Sequence, residues 1–477
     1  MAEVAAGVLV AEQVVATGVE AGVAAVAIAT PTQPLKVSLE QLALPPTAEE
    51  SHALARSHHT VVVIGRKSYI FGGSTPEGDL CSTDVYAVTL PTTKTKTSPA
   101  ETETTTTKYE CFPAFPLQSA ETGESMIPAP RKQHAACAQG KYMVIHGGCD
   151  NDGKPIDEHD ANCLWAWDSE TLKWSKLPGS TQLYKTLTPR FGHHLFFDNA
   201  QNFFVLYGGK TGTQQTESDS TETETDTWLY DLDSLVWTVV PATSAPSAPA
   251  TAAAYVDATL YTISGGGDGK GGNINQLYLH KSTTDREKPK SLVWKSIPFS
   301  PGGSSSSATT TQPSSTTPGT AALAPSPRQG AALVPLSTGY GRQYLVYMFG
   351  RSPGPGQYYS DIWTLQLPSV GFSAAAAKDV IRDHLPAFFK AAKSGEFSWA
   401  PVDLVPVEQQ PAADQKLTAG KVHPGPRCLF GGSTAASSCL DGKGVVFWGG
   451  ENAKGENESD GWILRLAYGY ADSDRRE

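Results

Sequence analysis

A hydrophobic or β-branched run ending in a glycine doublet recurs six times along this chain, and no other feature limits the fold as strongly. The copies span residues 68–73, 142–148, 203–209, 260–266, 344–350 and 445–450. In the fifth, Arg351 reads as the replacement of the second glycine. Recurrence of one pattern means that each copy is a supersecondary unit burying its apolar face only against its neighbours. Runs of β-branched and aromatic residues bounded by Gly, Pro, Asn and Asp are strands. A glycine pair closing an inner strand suits a place where backbones crowd and side chains do not fit.

The flanks of the doublets repeat as well. Upstream of five of the six lies an arginine: Arg56, Arg131, Arg190, Arg328 and Arg427. The fourth copy has Pro249-Ala250-Thr251 there and no arginine. Downstream comes an acid or amide with an aromatic: Asp84 with Tyr86, Asn162 with Trp165, Asp226 with Trp228, Asn275 with Tyr278, Asp361 with Trp363, and Asp460 with Trp462. Trp174 and Trp237 follow their aromatics at a fixed distance, with Trp294 and Trp399 further off. Each unit therefore reads as four short strands, with paired aromatics filling the wedge between adjacent sheets.

Doublet, acid or amide plus aromatic, and late tryptophan together resemble the kelch repeat. The resemblance covers nearly everything after residue 35 and implies an all-β fold: a six-bladed kelch-type β-propeller, one four-stranded sheet per blade. The doublets stand further apart than a kelch unit of about 50 residues allows, so insertions are expected. Residues 92–108 are Thr/Lys/Glu-rich, 211–225 are acidic and 301–325 are rich in Ser, Thr and Pro. All three are expected to be solvated, low-complexity loops. Residues 373–394 place Val380, Ile381, Leu385, Phe388 and Phe389 on one side of an expected helix in blade five, kinked at Pro386. Blade six has no clear fourth strand after Trp462, so the strand around residues 35–39 is expected to complete it and lock the ring. The propeller is expected over 31–477, with a helical appendage over 1–30.

Composition narrows the function. Gly contributes 45 residues and Pro 34, against 18% charged residues, which favours many short elements over long helices. The net charge of -11 disfavours a phosphate backbone as partner, so no nucleic acid is expected. Seven cysteines without a CxxC pair indicate neither a complete disulfide framework nor a zinc ribbon, and a reducing, cytoplasmic setting is the simpler reading. Glu3, Glu12 and Glu20 interrupt the apolar N-terminal run, which argues against a secretion signal or a membrane span.

Candidate chemistry centres on the residues that open the units. Arg56, His58, Arg131, His134, Arg190, His193, Arg328 and Arg427 precede the innermost strands, which line a propeller's channel. They are expected either to converge as an anion-binding channel mouth or to bond loop carbonyls and the Asp/Asn of their own or neighbouring blades. The acidic loop from Asp150 to Asp160 has carboxylates and one imidazole, but its glycine and glutamate spacing fits no EF-hand. Nitrile-specifier proteins are similar in architecture and carry an iron-binding Glu-xxx-Asp-xxx-His motif. The match here, Glu222, Asp226 and Tyr230, has Tyr in place of His, so no metal and no cofactor is expected. Galactose oxidase also has a kelch-like propeller, but nothing here identifies its copper ligands. The sequence lacks Gly-x-Ser-x-Gly, P-loop and HExxH motifs. The expected function is an intracellular protein-binding scaffold using the propeller faces. The alternative is a small-molecule enzyme, of lyase or isomerase type, with its pocket at the channel mouth.

Overall fold

The computed structural model describes residues 33–91, 107–114, 127–156, 162–181, 186–212, 222–265, 271–280, 292–299, 324–337, 342–354, 356–368, 397–405, 421–434 and 444–466. The helices expected over 1–30 and 373–394 lie outside these, as do loop residues 92–106, 213–221 and 301–323.

Six blade sheets form, antiparallel through their four main strands; five are built on one repeat unit each, and the sixth is completed by the N-terminal strand. Blade one runs outward through Thr60–Ile64, Lys67–Phe71, Val85–Thr89 and Tyr109–Phe112. Its register is continuous: Val61 opposes Ile70, Ile70 opposes Tyr86, and Tyr86 opposes Cys111. Blades two to five repeat the order, starting at Ala135–Gln139, His194–Asp198, Ala250–Val256 and Ala332–Ser337. Blade six begins at Gly431–Thr434. Among the described residues there is one helix, Ala48–Leu54, whose Thr47 hydroxyl accepts the Glu50 N–H while the Glu50 carboxylate accepts the Thr47 N–H.

Successive side chains of a strand point to opposite faces, and in this chain both faces are buried. Ile70 packs in the seam towards blade six, whereas Tyr69 and Phe71 pack in the seam towards blade two. This explains why the inner strands read as unbroken apolar runs. Six hydrophobic clusters result among the described residues, one in each seam. Trp167, Trp228, Trp237, Trp448 and Trp462 are fully buried in them. A buried indole removes roughly 200 Å² from water, on the order of 5 kcal/mol of transfer free energy before entropy is counted.

The fourth strand of blade six is Lys36–Gln41, paired antiparallel with Gly461–Leu466 so that Leu39 opposes Leu464. One sheet therefore holds both ends of the propeller. Elsewhere the chain leaving one blade runs parallel along the outer edge of the next: Ser180–Thr181 on Val236–Val239, Ala242–Thr243 on Leu292–Val293, and Asp403–Leu404 on Lys36–Gln41. Each short strand covers an edge that would otherwise offer free N–H and C=O groups.

The fifth doublet differs from its sequence reading by one residue. Phe349 has φ 55°, beside 61°, 59° and 60° at Gly72, Gly147 and Gly449, and Gly350 has φ 93°, beside 97°, 105° and 94° at Gly73, Gly148 and Gly450. Phe349 thus replaces the first glycine, and Gly350 is the second. Arg351 lies one place beyond. The left-handed backbone is tolerated there because the Phe349 ring is wholly buried against Phe430 and Phe447.

Candidate functional site

The segment before each innermost strand and the loop after each doublet meet on one face, because both strand ends belong to the same end of an antiparallel pair. Bridges fix the meeting: Ser57 to Ser74, Lys132 to Cys149, Phe191 to Lys210, Gln329 to Arg351 and Cys428 to Glu451.

The five repeated arginines are buried and turned into the blades. Nη1 of each donates to the carbonyl of a left-handed residue, which follows the second strand at Gly72, Gly147, Phe349 and Gly449 and lies within it at Gly208, at 2.9–3.1 Å. Among the described residues the guanidinium also meets an acid in three blades: Asp226, within the third strand, at 2.7 Å, and Asp361 and Asp460, just before it, at 2.6 Å and 2.8 Å. In blade one it lies over the Tyr86 ring, 4.9 Å from the centroid. The arginine carbonyls face the other way. Arg56, Arg131, Arg190 and Arg427 accept N–H bonds from Gly450, Gly73, Gly148 and Gly350 of the preceding blade. A Cβ on Gly72, Gly147 or Gly449 would stand only 2.5–2.7 Å from such a carbonyl, which is the physical reason for glycine there. Side chain and carbonyl together stitch neighbouring blades.

Blade four has no arginine, and the seam it shares with blade three lacks the stitch. The second strand of blade three instead runs on through Gly208 and Gly209 to Thr211, with Gly209 opposing Glu224 across a register shift. A Cβ on Gly208 would approach nothing closer than Glu224 O, at 3.3 Å.

Two residues after each arginine the backbone is left-handed: His58, Gln133, Gly192, Gly330 and Leu429 have φ between 54° and 63°. These five residues surround the mouth of the channel. With Tyr207, Lys210, Glu224, Thr251 and Arg351 they line a cavity of about 440 Å³ that reaches into the unstitched seam. A second cavity of about 230 Å³ lies in the channel, with His59, His134, His193 and His194 on one side and Ala252, Ala331 and Phe430 on the other.

The histidines bring no positive charge to either cavity at neutral pH. Burial, then Lys132, pushes His58 down to about 4, and burial alone does the same for His194. Burial, then Arg131, pushes His134 down to about 3. His59 and His193 are held well below the ordinary imidazole value, first by burial. The charges lining the mouth are therefore Lys210 and Arg351 against Glu224. Among the described residues no group of three or more His, Cys, Asp or Glu is placed to hold a metal ion. Asp226 accepts from Arg190 and from Trp228 Nε1, and the Tyr230 hydroxyl donates to the Pro178 carbonyl. The loop from Asp150 is turned by Asp150 Oδ1 accepting the Lys154 N–H, and its residues 157–161 lie outside the described ones.

The KLHDC2/KLHL20/DRC7 Kelch-repeats domain model matches residues 153–382, just under half of the chain. Repeat pattern, six-sheet ring and family match agree. The chain is a kelch-repeat β-propeller. A solved structure described as "Structure of YjhT" aligns at 12% identity over 88% of this chain and 95% of that one, with a TM-score of 0.47.

In this kelch propeller the residues singled out from sequence separate into three places. Arg56, Arg131, Arg190, Arg328 and Arg427 sit inside the blades, the first three and the last as stitches to the preceding blade and Arg328 bonded within its own. His134 and His193 line the channel cavity, where His134 Nε2 meets Thr60 Oγ1 at 2.8 Å and His193 Nε2 meets His146 Nδ1 at 3.0 Å. Only His58 of the eight lines the mouth among the described residues. Sequence reasoning passed over Gln133, Lys210, Glu224 and Arg351. The signal that finds Gln133 is its fixed place two residues after the arginine. Lys210 and Arg351 are found by their place one residue beyond the second glycine.

Proposed function

We propose that this chain is a protein-binding propeller, acting inside the cell, that recognises its partner on the face carrying the channel mouth. The observation that carries the reading is the cavity of about 440 Å³ on that face, rimmed by Lys210, Arg351 and Glu224. Such a concave, mixed-charge surface at the meeting point of several loops suits recognition of another chain. The free thiols at the described cysteines support an intracellular setting. No helix among the described residues is long and apolar enough to cross a membrane.

The enzyme alternative needs several cationic or titratable groups converging on one pocket without compensating partners. The arginines are bonded within and between blades, which weighs against it.

Affinity capture tests the proposal, with full-length wild type, a Lys210→Glu/Arg351→Glu variant and a Lys173→Glu variant as baits. Lys173 is exposed at the start of a fourth strand, on the opposite face. A polypeptide retained by wild type and Lys173→Glu but lost from the double variant is the expected result. Equal capture by all three baits, or a small molecule retained stoichiometrically in native mass spectrometry, would overturn the reading.

A further inference from the structure

The left-handed residues at the mouth form a ring of main-chain hydrogen bonds, each N–H donating to the carbonyl of its counterpart in the preceding blade. His58 donates to Leu429 at 2.8 Å, Gln133 to His58 at 3.0 Å, Gly192 to Gln133 at 2.7 Å and Leu429 to Gly330 at 3.0 Å. Blade four contributes no member. Its innermost strand is already extended from Ala250, with a register irregularity at Thr251, and the Thr251 hydroxyl donates to the Ile263 carbonyl of its own blade. The arc thus ends in an acceptor, the Gly192 carbonyl, and a donor, the Gly330 N–H. Neither has a hydrogen-bond partner among the described residues. Both residues line the larger cavity and retain solvent access.

We propose that a partner's main chain docks at this gap, one residue of an acidic peptide segment taking the sixth place in the ring. Its N–H donates to Gly192 O, and its C=O accepts from the Gly330 N–H. Polypeptide is the ligand class that fits, because every other ring member offers one residue's own N–H and C=O in this sense. Its acidic character follows from the rim. Lys210 has no ion pair among the described residues, and the Arg351 side chain is 43% exposed, with Glu451 3.8 Å away. A cavity of about 440 Å³ lies within the size range of ligand pockets. The proposal rests on the mouth face being the recognition face.

The probe is a library of random dodecapeptides, selected by mRNA display on the immobilised full chain. Binders are then measured against wild type, Gly192→Asn, Lys210→Glu and Lys173→Glu. Asparagine tolerates the left-handed backbone, and a Cβ at residue 192 meets nothing closer than Gln133 Oε1 at 3.7 Å, so this variant keeps its fold while placing an amide in the gap. An unchanged circular dichroism spectrum and urea midpoint check that. Acidic binders that lose at least tenfold on Gly192→Asn are expected. Replacing one backbone amide of such a peptide by an ester should cost about tenfold on wild type and little more on Gly192→Asn. Full binding to Gly192→Asn with loss on Lys210→Glu would overturn the gap while leaving the face reading in place. Binding lost only on Lys173→Glu, or no binders at all, would overturn both.

Discussion

His146 Nδ1 and His193 Nε2 meet at 3.0 Å across the seam between blades two and three. Two neutral rings share one N–H···N bond in this geometry, and two cations do not. His59, His134 and His194 are also held in the uncharged form within the inner walls. The cost of charging them falls on the seams.

Acid should therefore loosen the propeller well above the carboxylate range. Folded values of about 4 for His58 and His194 and about 3 for His134 lie below the unfolded value near 6.5, so below pH 6.5 the unfolded chain binds more protons. Their contribution is fully present above that pH and is lost as pH falls towards the folded values, by about 1.4 kcal/mol per pH unit for each histidine. Asp361 and Asp460 have lowered values and lose their contribution only below about pH 4. A urea midpoint falling steadily between pH 6.5 and 4.5 is the expected result; one unchanged across that window would contradict the burial argument.

The arginine–carboxylate pairs should differ in strength with the exposure of their acids. Asp460 has a side-chain exposure of 3%, whereas Asp361 has 45%. Burial pushes Asp460 up, but Arg427 outweighs it and holds the carboxyl below its ordinary value. Arg427→Ala leaves the buried Asp460 carboxylate with Lys421, at 3.1 Å, as its remaining charged partner and should cost about 3 kcal/mol. Asp361→Asn should cost about 1 kcal/mol, because water partly replaces the lost charge. Equal losses in chemical denaturation would show that the exposed acid matters as much as the buried one.

Two left-handed glycines separate backbone strain from crowding. Gly140 has φ 57° and open space around a Cβ, so Gly140→Ala should cost about 1–2 kcal/mol. Gly147 has φ 59°, but its Cβ would stand 2.5 Å from Arg190 O and 2.6 Å from His193 Cε1. Gly147→Ala should cost about 3 kcal/mol or more, since either a stitch or a ring must move. Similar thermal midpoints for the two variants would refute the crowding account.

The corrected register of the fifth doublet is directly testable. Gly350→Ala places a Cβ 2.8 Å from the Ala331 Cβ at φ 93°, and a large loss of stability is expected. Arg351→Gly, which would restore a doublet if Arg351 stood at the second position, should bring no stabilisation. A gain of about 1 kcal/mol for Arg351→Gly would restore the first reading.

Strand-forming runs, doublets and tryptophans are local signals, and they made the kelch propeller legible in the sequence. Period-two packing at Tyr69 and Ile70 needs a neighbouring sheet on each face, and six recurrences supply the neighbours. The sequence also showed which blade lacks an arginine. It did not show where that arginine would point, because one guanidinium serves equally as an anion site or as a partner for carbonyls, and only the fold decides which is nearer. Nor does Phe349-Gly350-Arg351 announce its register, since φ is set by the carbonyl of Arg427 arriving from the next blade. Composition, strand content and repeat number belong to the sequence alone. The stitch, the open seam at blade four and the incomplete ring at the mouth come from contacts between residues far apart in the chain, and only the tertiary structure brings those residues within hydrogen-bond distance.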